Sequence, residues 1–174
     1  MEVMEAGDKQ RFYVGVDVGR RQHSAAILSA AEARAGWERA RVFSFSADLY
    51  GFREFFLALA RAGAGPENTV CALEATGGYY SQPIFRALSE RGYGVFSLKN
   101  QAVHDLREMV YGRRSKTDVE DARLIARLLY LREAIGQEYG FHVVHQGESR
   151  YRSVRLLWIC AGDRSRHGDV PPTS

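Results

Sequence analysis

Residues 12–18 read Phe12-Tyr13-Val14-Gly15-Val16-Asp17-Val18. The run is almost continuously apolar and rich in β-branched and aromatic types, the pattern of a strand covered on both faces. One acid interrupts it. A buried carboxylate is costly unless a cation or hydrogen bonds compensate it. Asp17 is therefore either a turn or cap acid before Gly19 or part of a site.

The same reading extends along the chain. Gly19-Arg20-Arg21 is a turn, residues 23–29 a second strand and residues 41–45 a third with alternating pattern. Their short links imply an antiparallel meander. Asp48 caps a helix over residues 49–62, with Leu49, Phe52, Phe56 and Leu59 at helical spacing. Residues 69–74 form another buried strand that ends on Glu74, and Gly77-Gly78 leads into a helix near residues 80–91. A fifth strand at residues 93–98, a helix at 101–110, a polar loop at 111–116 and a helix at 118–133 follow. Strands alternating with helices after a meander predict an α/β domain with a mixed five-stranded sheet flanked by helices. The ribonuclease H-like fold has this order.

The chain has 174 residues, of which 45% are hydrophobic and 26% charged, the balance of an ordinary globular protein. No apolar run reaches the roughly 18–20 residues of a membrane span. The first eleven residues form a polar leader without a signal-peptide core, so a cytoplasmic protein is expected. Cys71 lies inside an apolar run and reads as a buried structural thiol. Net charge is only +3. Its distribution says more: Arg107, Arg113, Arg114, Lys116, Arg123, Arg127 and Arg132 gather in one stretch.

That stretch also holds Lys116-Thr117-Asp118-Val119-Glu120-Asp121-Ala122. Thr117 and Glu120 fit a capping box that sets the helix start. Asp118 and Asp121 are three apart and share a face, which continues through the apolar Ile125 and Leu128. Acid enrichment in a first helical turn explains either acid, but less well the pair on an apolar face. Glu74, in turn, is a cap for the next helix or a site residue. Four acids on two strands and a helix suit hard divalent cations, which take carboxylate oxygens. Two such ions about 4 Å apart activate a nucleophile and stabilise a leaving oxygen in phosphodiester displacement. No His or Cys cluster has zinc spacing.

Three segments, residues 13–18, residues 73–79 and residues 116–122 with Leu124 to Leu129, together resemble the N-terminal domain of the DEDD insertion-sequence transposases, relatives of the Piv-type DNA invertases. The resemblance covers about Phe12 to Leu131. It implies a RuvC-like fold, with Asp17, Glu74, Asp118 and Asp121 as catalytic residues that bind Mg²⁺ (or Mn²⁺) and act on DNA. It also implies an element-encoded guide RNA and a homo-oligomer at full length. Members carry a second, C-terminal domain with a serine nucleophile. This chain stops before one fits, so residues 12–135 are expected to be the catalytic domain and residues 136–174 an irregular tail, truncated or frame-changed.

The loop Gly112-Arg113-Arg114-Ser115-Lys116 is short and strongly positive. Such side chains contact phosphate without reading sequence. Arg113, Arg114 and Lys116, extended by Arg123, are the expected nucleic-acid contacts; a solvated surface is the plainer reading, most so for Arg123 and Arg127. Tyr79 and Tyr80 either pack on nucleic acid or fill the core. A stand-alone RuvC-like nuclease or resolvase and an inactive nucleic-acid-binding remnant are the competing functions. A sugar-kinase or actin-like ATPase, suggested by Val16-Asp17-Val18-Gly19, needs a duplicated domain for which 174 residues leave no room.

Overall fold

The computed structural model describes residues 10–74, 79–112, 117–136 and 141–144. Strand β1 (Phe12–Val18) pairs antiparallel with β2 (Gln22–Ser29), and β2 pairs antiparallel with β3 (Arg41–Ser46). On its other side β1 pairs parallel with β4 (Thr69–Glu74), and β4 pairs parallel with β5 (Gly94–Leu98). The order 3-2-1-4-5 is the ribonuclease H-like arrangement expected from the sequence. It sets β1 at the centre of the sheet, which is why residues 12–18 are buried on both faces.

Alternation along the strands divides the core into two layers. Val14, Val16 and Val18 of β1 and Cys71 and Leu73 of β4 pack with α2 (Leu49–Ala62) and α3 (Ser81–Glu90), through Phe55, Leu59, Ile84 and Leu88. On the opposite face, Tyr13 and Ala72 pack with α1 (Ala30–Ala35), α4 (Asn100–Tyr111) and α5 (Asp118–Ile135). Cys71 is a fully buried thiol whose pKa burial pushes up, as its apolar run implied.

Two features depart from the sequence reading. The sheet has a sixth strand, β6 (Phe141–Val144), antiparallel to β5. It lies inside the segment expected to be irregular, so the sheet is larger than five strands and the ordered unit runs past residue 135. The reason is edge pairing: β5 without a neighbour exposes a row of backbone donors and acceptors that another strand satisfies. Helix α1 is the second feature, a helix where the sequence pattern gave none. It opens on a reciprocal capping box, in which Ser29 Oγ accepts from Glu32 N at 3.2 Å and Glu32 Oε2 accepts from Ser29 N at 2.9 Å. The Ser29-x-x-Glu32 spacing carries that signal, but the helix it opens is only six residues long.

Helix α5 crosses β1 so closely that the strand has no room for a side chain at Gly15. A Cβ there would stand 2.3 Å from the Ala122 carbonyl oxygen and 2.4 Å from the Ala126 nitrogen. Gly15 thus serves close backbone approach rather than a turn. The far end of α5 is tied to the start of β1. Glu133 accepts from Arg11 Nη2 at 2.6 Å and from the Tyr13 hydroxyl at 2.5 Å. Burial alone would raise the Glu133 pKa, but those two donors and the Arg11 charge together hold it below the ordinary range. With Glu133 over Tyr13 and Ala122 over Gly15, α5 runs antiparallel to β1, and its N-terminus points toward the Asp17 end of the strand. Gly15→Val should lift α5 from the sheet and lower stability by about 1–3 kcal/mol, the usual range for overpacking. Chemical denaturation of the variant beside the parent chain checks it.

His23 of β2 is 1% exposed, between the rings of Phe45 and Phe52, and neither ring nitrogen finds a hydrogen-bond partner among the described residues. Burial lowers its pKa below the ordinary imidazole range, near 6.5. Above about pH 6.5 both folded and unfolded chains hold His23 neutral, and its contribution to stability is complete. As the pH falls through that value the unfolded chain takes up a proton that the folded chain refuses, so stability declines. His23→Leu should show a shallower loss of unfolding free energy between about pH 6.5 and pH 5 than the parent chain. Paired urea titrations at those pH values measure the difference.

Candidate active site

The parallel ladder between β1 and β4 matches Phe12 with Thr69 through Val16 with Leu73. The next step of that register sets Asp17 opposite Glu74, at the carboxyl ends of both strands. Both acids are half-buried. Both alternate with residues of the α2–α3 layer, so they belong to the face that α5 covers. In open α/β sheets, the crevice at the carboxyl ends of the strands is where ligands bind.

Helix α5 brings the other acids to this edge. Thr117 caps it by accepting from Glu120 N at 3.2 Å, which confirms the helix start read from the sequence. From Ala122 back to Asp118 is about 6 Å of helix rise. From Gly15 forward to Asp17 is about 6.6 Å of strand. Because Ala122 sits on Gly15, the first turn of α5 falls at the level of Asp17 and Glu74. Asp118 opens the helix, and its side chain lies outside the described residues, as do Arg113, Arg114 and Lys116.

Asp121 is held by a cation already. Its carboxylate, 3% exposed, faces the Arg107 guanidinium of α4, 13% exposed. Arg107 donates from Nε to Oδ1 at 2.7 Å and from Nη2 to Oδ2 at 2.5 Å. This two-pronged geometry is the strongest form of carboxylate pairing. Residues 107 and 121 lie on different helices, and no spacing rule connects them. Among the described residues, no three of His, Cys, Asp and Glu stand together as a ready metal cluster.

A family model described as Transposase, for the IS110-type DEDD transposases, matches residues 14–145. The chain belongs to this family. The match begins within β1 and runs through β6. No curated protein sequence matches the transposase chain. Among solved structures, the PCNA:RNase HII complex from Archaeoglobus fulgidus is similar at 14% identity, over 93% of this chain and 98% of that chain, with a TM-score of 0.29. A likeness that loose adds nothing to the strand order. A transposase domain implies DNA as its partner. No helix among the described residues is long and apolar enough to cross a membrane.

The arginines of α5 divide differently from the sequence reading. Arg123 Nε donates to the Ala40 carbonyl at 3.2 Å, and Arg127 Nη1 donates to the Ala33 carbonyl at 2.6 Å. Both bind backbone beside α1 and thereby fasten that segment to α5. Ala33 lies in the last turn of α1, where carbonyls lack helical partners. Tyr79 and Tyr80, at the start of α3, are 88% and 46% exposed, so neither fills the core. The transposase domain carries this exposed aromatic pair five and six residues after Glu74, directly before α3.

Breaking the Arg107–Asp121 pair on one side leaves a buried charge without a partner, which typically costs about 3–5 kcal/mol. Asp121→Leu alone should lose that much, and the double variant Asp121→Leu with Arg107→Met should recover most of it. A double-mutant cycle in urea measures the coupling.

Proposed function

We propose that this transposase domain catalyses Mg²⁺-dependent DNA strand cleavage and transfer in insertion-sequence transposition, with Asp17, Glu74, Asp118 and Asp121 as its metal-binding catalytic residues. The observation that carries the reading is the β1–β4 register, which brings Asp17 and Glu74 to adjacent positions on the face beneath the first turn of α5. The donor set is chemically suitable, since hard divalent cations take carboxylate oxygens. Asp121 is a buried carboxylate whose positive partner here is the Arg107 guanidinium, the place a cation would take. When bound, divalent ions polarise the scissile phosphate, activate the attacking oxygen and stabilise the leaving one.

The protein's own contribution is positional. Asp17 and Glu74 are fixed by the centre of the sheet, and Asp121 by a helix that cannot slide on Gly15. Fixed acids need little reorganisation when charge develops on the phosphate. The basic stretch Arg113, Arg114 and Lys116 precedes this helix and is suited to holding the DNA backbone by phosphate contact. Arg123 contributes less in this reading, because its Nε serves the Ala40 carbonyl. Guide-RNA recognition and assembly into a homo-oligomer belong to the same proposal, on the family relationship alone.

Asp17→Asn and Glu74→Gln should each lower Mg²⁺-dependent cleavage of element-end DNA by at least roughly 100-fold. A bound metal supplies several kcal/mol of transition-state stabilisation, and about 1.4 kcal/mol is tenfold in rate. DNA affinity in a filter-binding assay should stay within about threefold, since phosphate contacts with Lys and Arg dominate it. Full cleavage by either variant would refute the assignment.

A further inference from the structure

We propose that Arg107 is a positioning residue that competes with a divalent cation for the carboxylate of Asp121, so that metal enters only as the guanidinium withdraws. The inference rests on the metal reading of Asp121 given above. Its observation is the two-pronged pair itself: Arg107 engages both carboxylate oxygens, Oδ1 at 2.7 Å and Oδ2 at 2.5 Å. A divalent ion needs at least one of those oxygens in close-fitting coordination. A guanidinium and a metal ion against one buried carboxylate also repel each other strongly, because little water screens them.

The two partners are unequal in freedom. Asp121 has a short side chain on a helix whose backbone rests on Gly15, and its N–H is bonded to the Thr117 carbonyl at 3.0 Å. Arg107 is long, sits on a different helix and retains some solvent exposure. When a cation arrives, the guanidinium is therefore the group that moves. Until then it holds the Asp121 carboxylate in place and compensates its charge.

Calorimetric titration of Mn²⁺ into the full chain tests this, using Arg107→Gln, Arg107→Lys, Asp17→Asn and Asp121→Asn. Arg107→Gln should bind Mn²⁺ about tenfold tighter or more, because a competing charge is gone. Arg107→Lys keeps the charge and should stay near the parent chain. A purely structural tie between α4 and α5 predicts lower thermal stability with unchanged Mn²⁺ affinity in Arg107→Gln, and that result overturns the proposal. So does an Arg107→Lys chain that binds as tightly as Arg107→Gln. Should Arg107→Gln fail to fold, the parent chain provides the answer by NMR. The Arg107 Nε–H should be protected from exchange without metal and lose that protection at saturating Mg²⁺; protection that persists overturns the proposal. If Asp17→Asn and Asp121→Asn bind Mn²⁺ as the parent does, it is the metal reading that fails. If both lose binding and Arg107→Gln gains nothing, only the role of Arg107 falls.

Discussion

The seating of α5 on Gly15 is the contact on which the rest of this structure depends. A strand at the centre of a sheet normally presents side chains to both layers, and β1 does so everywhere but here. The missing side chain lets the backbone of Ala122 and Ala126 lie directly on the strand. That fixes the height of the helix along β1, while Glu133 on Tyr13 and Arg11 fixes its direction. The position of Asp118 and Asp121 relative to Asp17 follows from those two constraints without any further device. A helix packed on larger side chains would stand farther away and carry its acids away from the sheet.

The same close packing explains the state of Asp121. A carboxylate pressed into a helix–sheet interface needs a positive partner, and Arg107 provides it from α4. The pair is therefore a structural tie and, in the reading proposed here, the competitor of a metal ion. On α5 itself, Arg123 and Arg127 have a simpler part, holding the α1 segment through backbone carbonyls. Two of the three arginines of α5 are thus spent on backbone carbonyls, and the helix carries more acids than bases, so its arginines offer little to DNA.

Much of the architecture was legible because its signals are local. Buried-strand runs at residues 12–18 and 69–74, the Asp48 and Thr117 caps, and the amphipathic spacing of α2 all rest on neighbours within a few residues. The elements that escaped had short or non-local signals. Helix α1 has six residues, too few to show a period, and β6 is a strand because β5 offers it an edge. Tyr79 and Tyr80 were ambiguous because aromatic residues after a glycine turn suit a core and a surface equally well; only burial separates the two.

The sequence alone determined the identity and order of the acids, the strand–helix order and the cap that places Asp118 and Asp121 in a first helical turn. Each of these is written in residue type and short spacing. The tertiary structure decided that Asp17 and Glu74 are register neighbours, that Gly15 admits α5, and that Arg107 holds Asp121. Those facts join residues 57, 107 and 14 positions apart, across a parallel ladder or between helices. No local pattern encodes such pairs, because they exist only once the sheet has formed and its two faces have been covered.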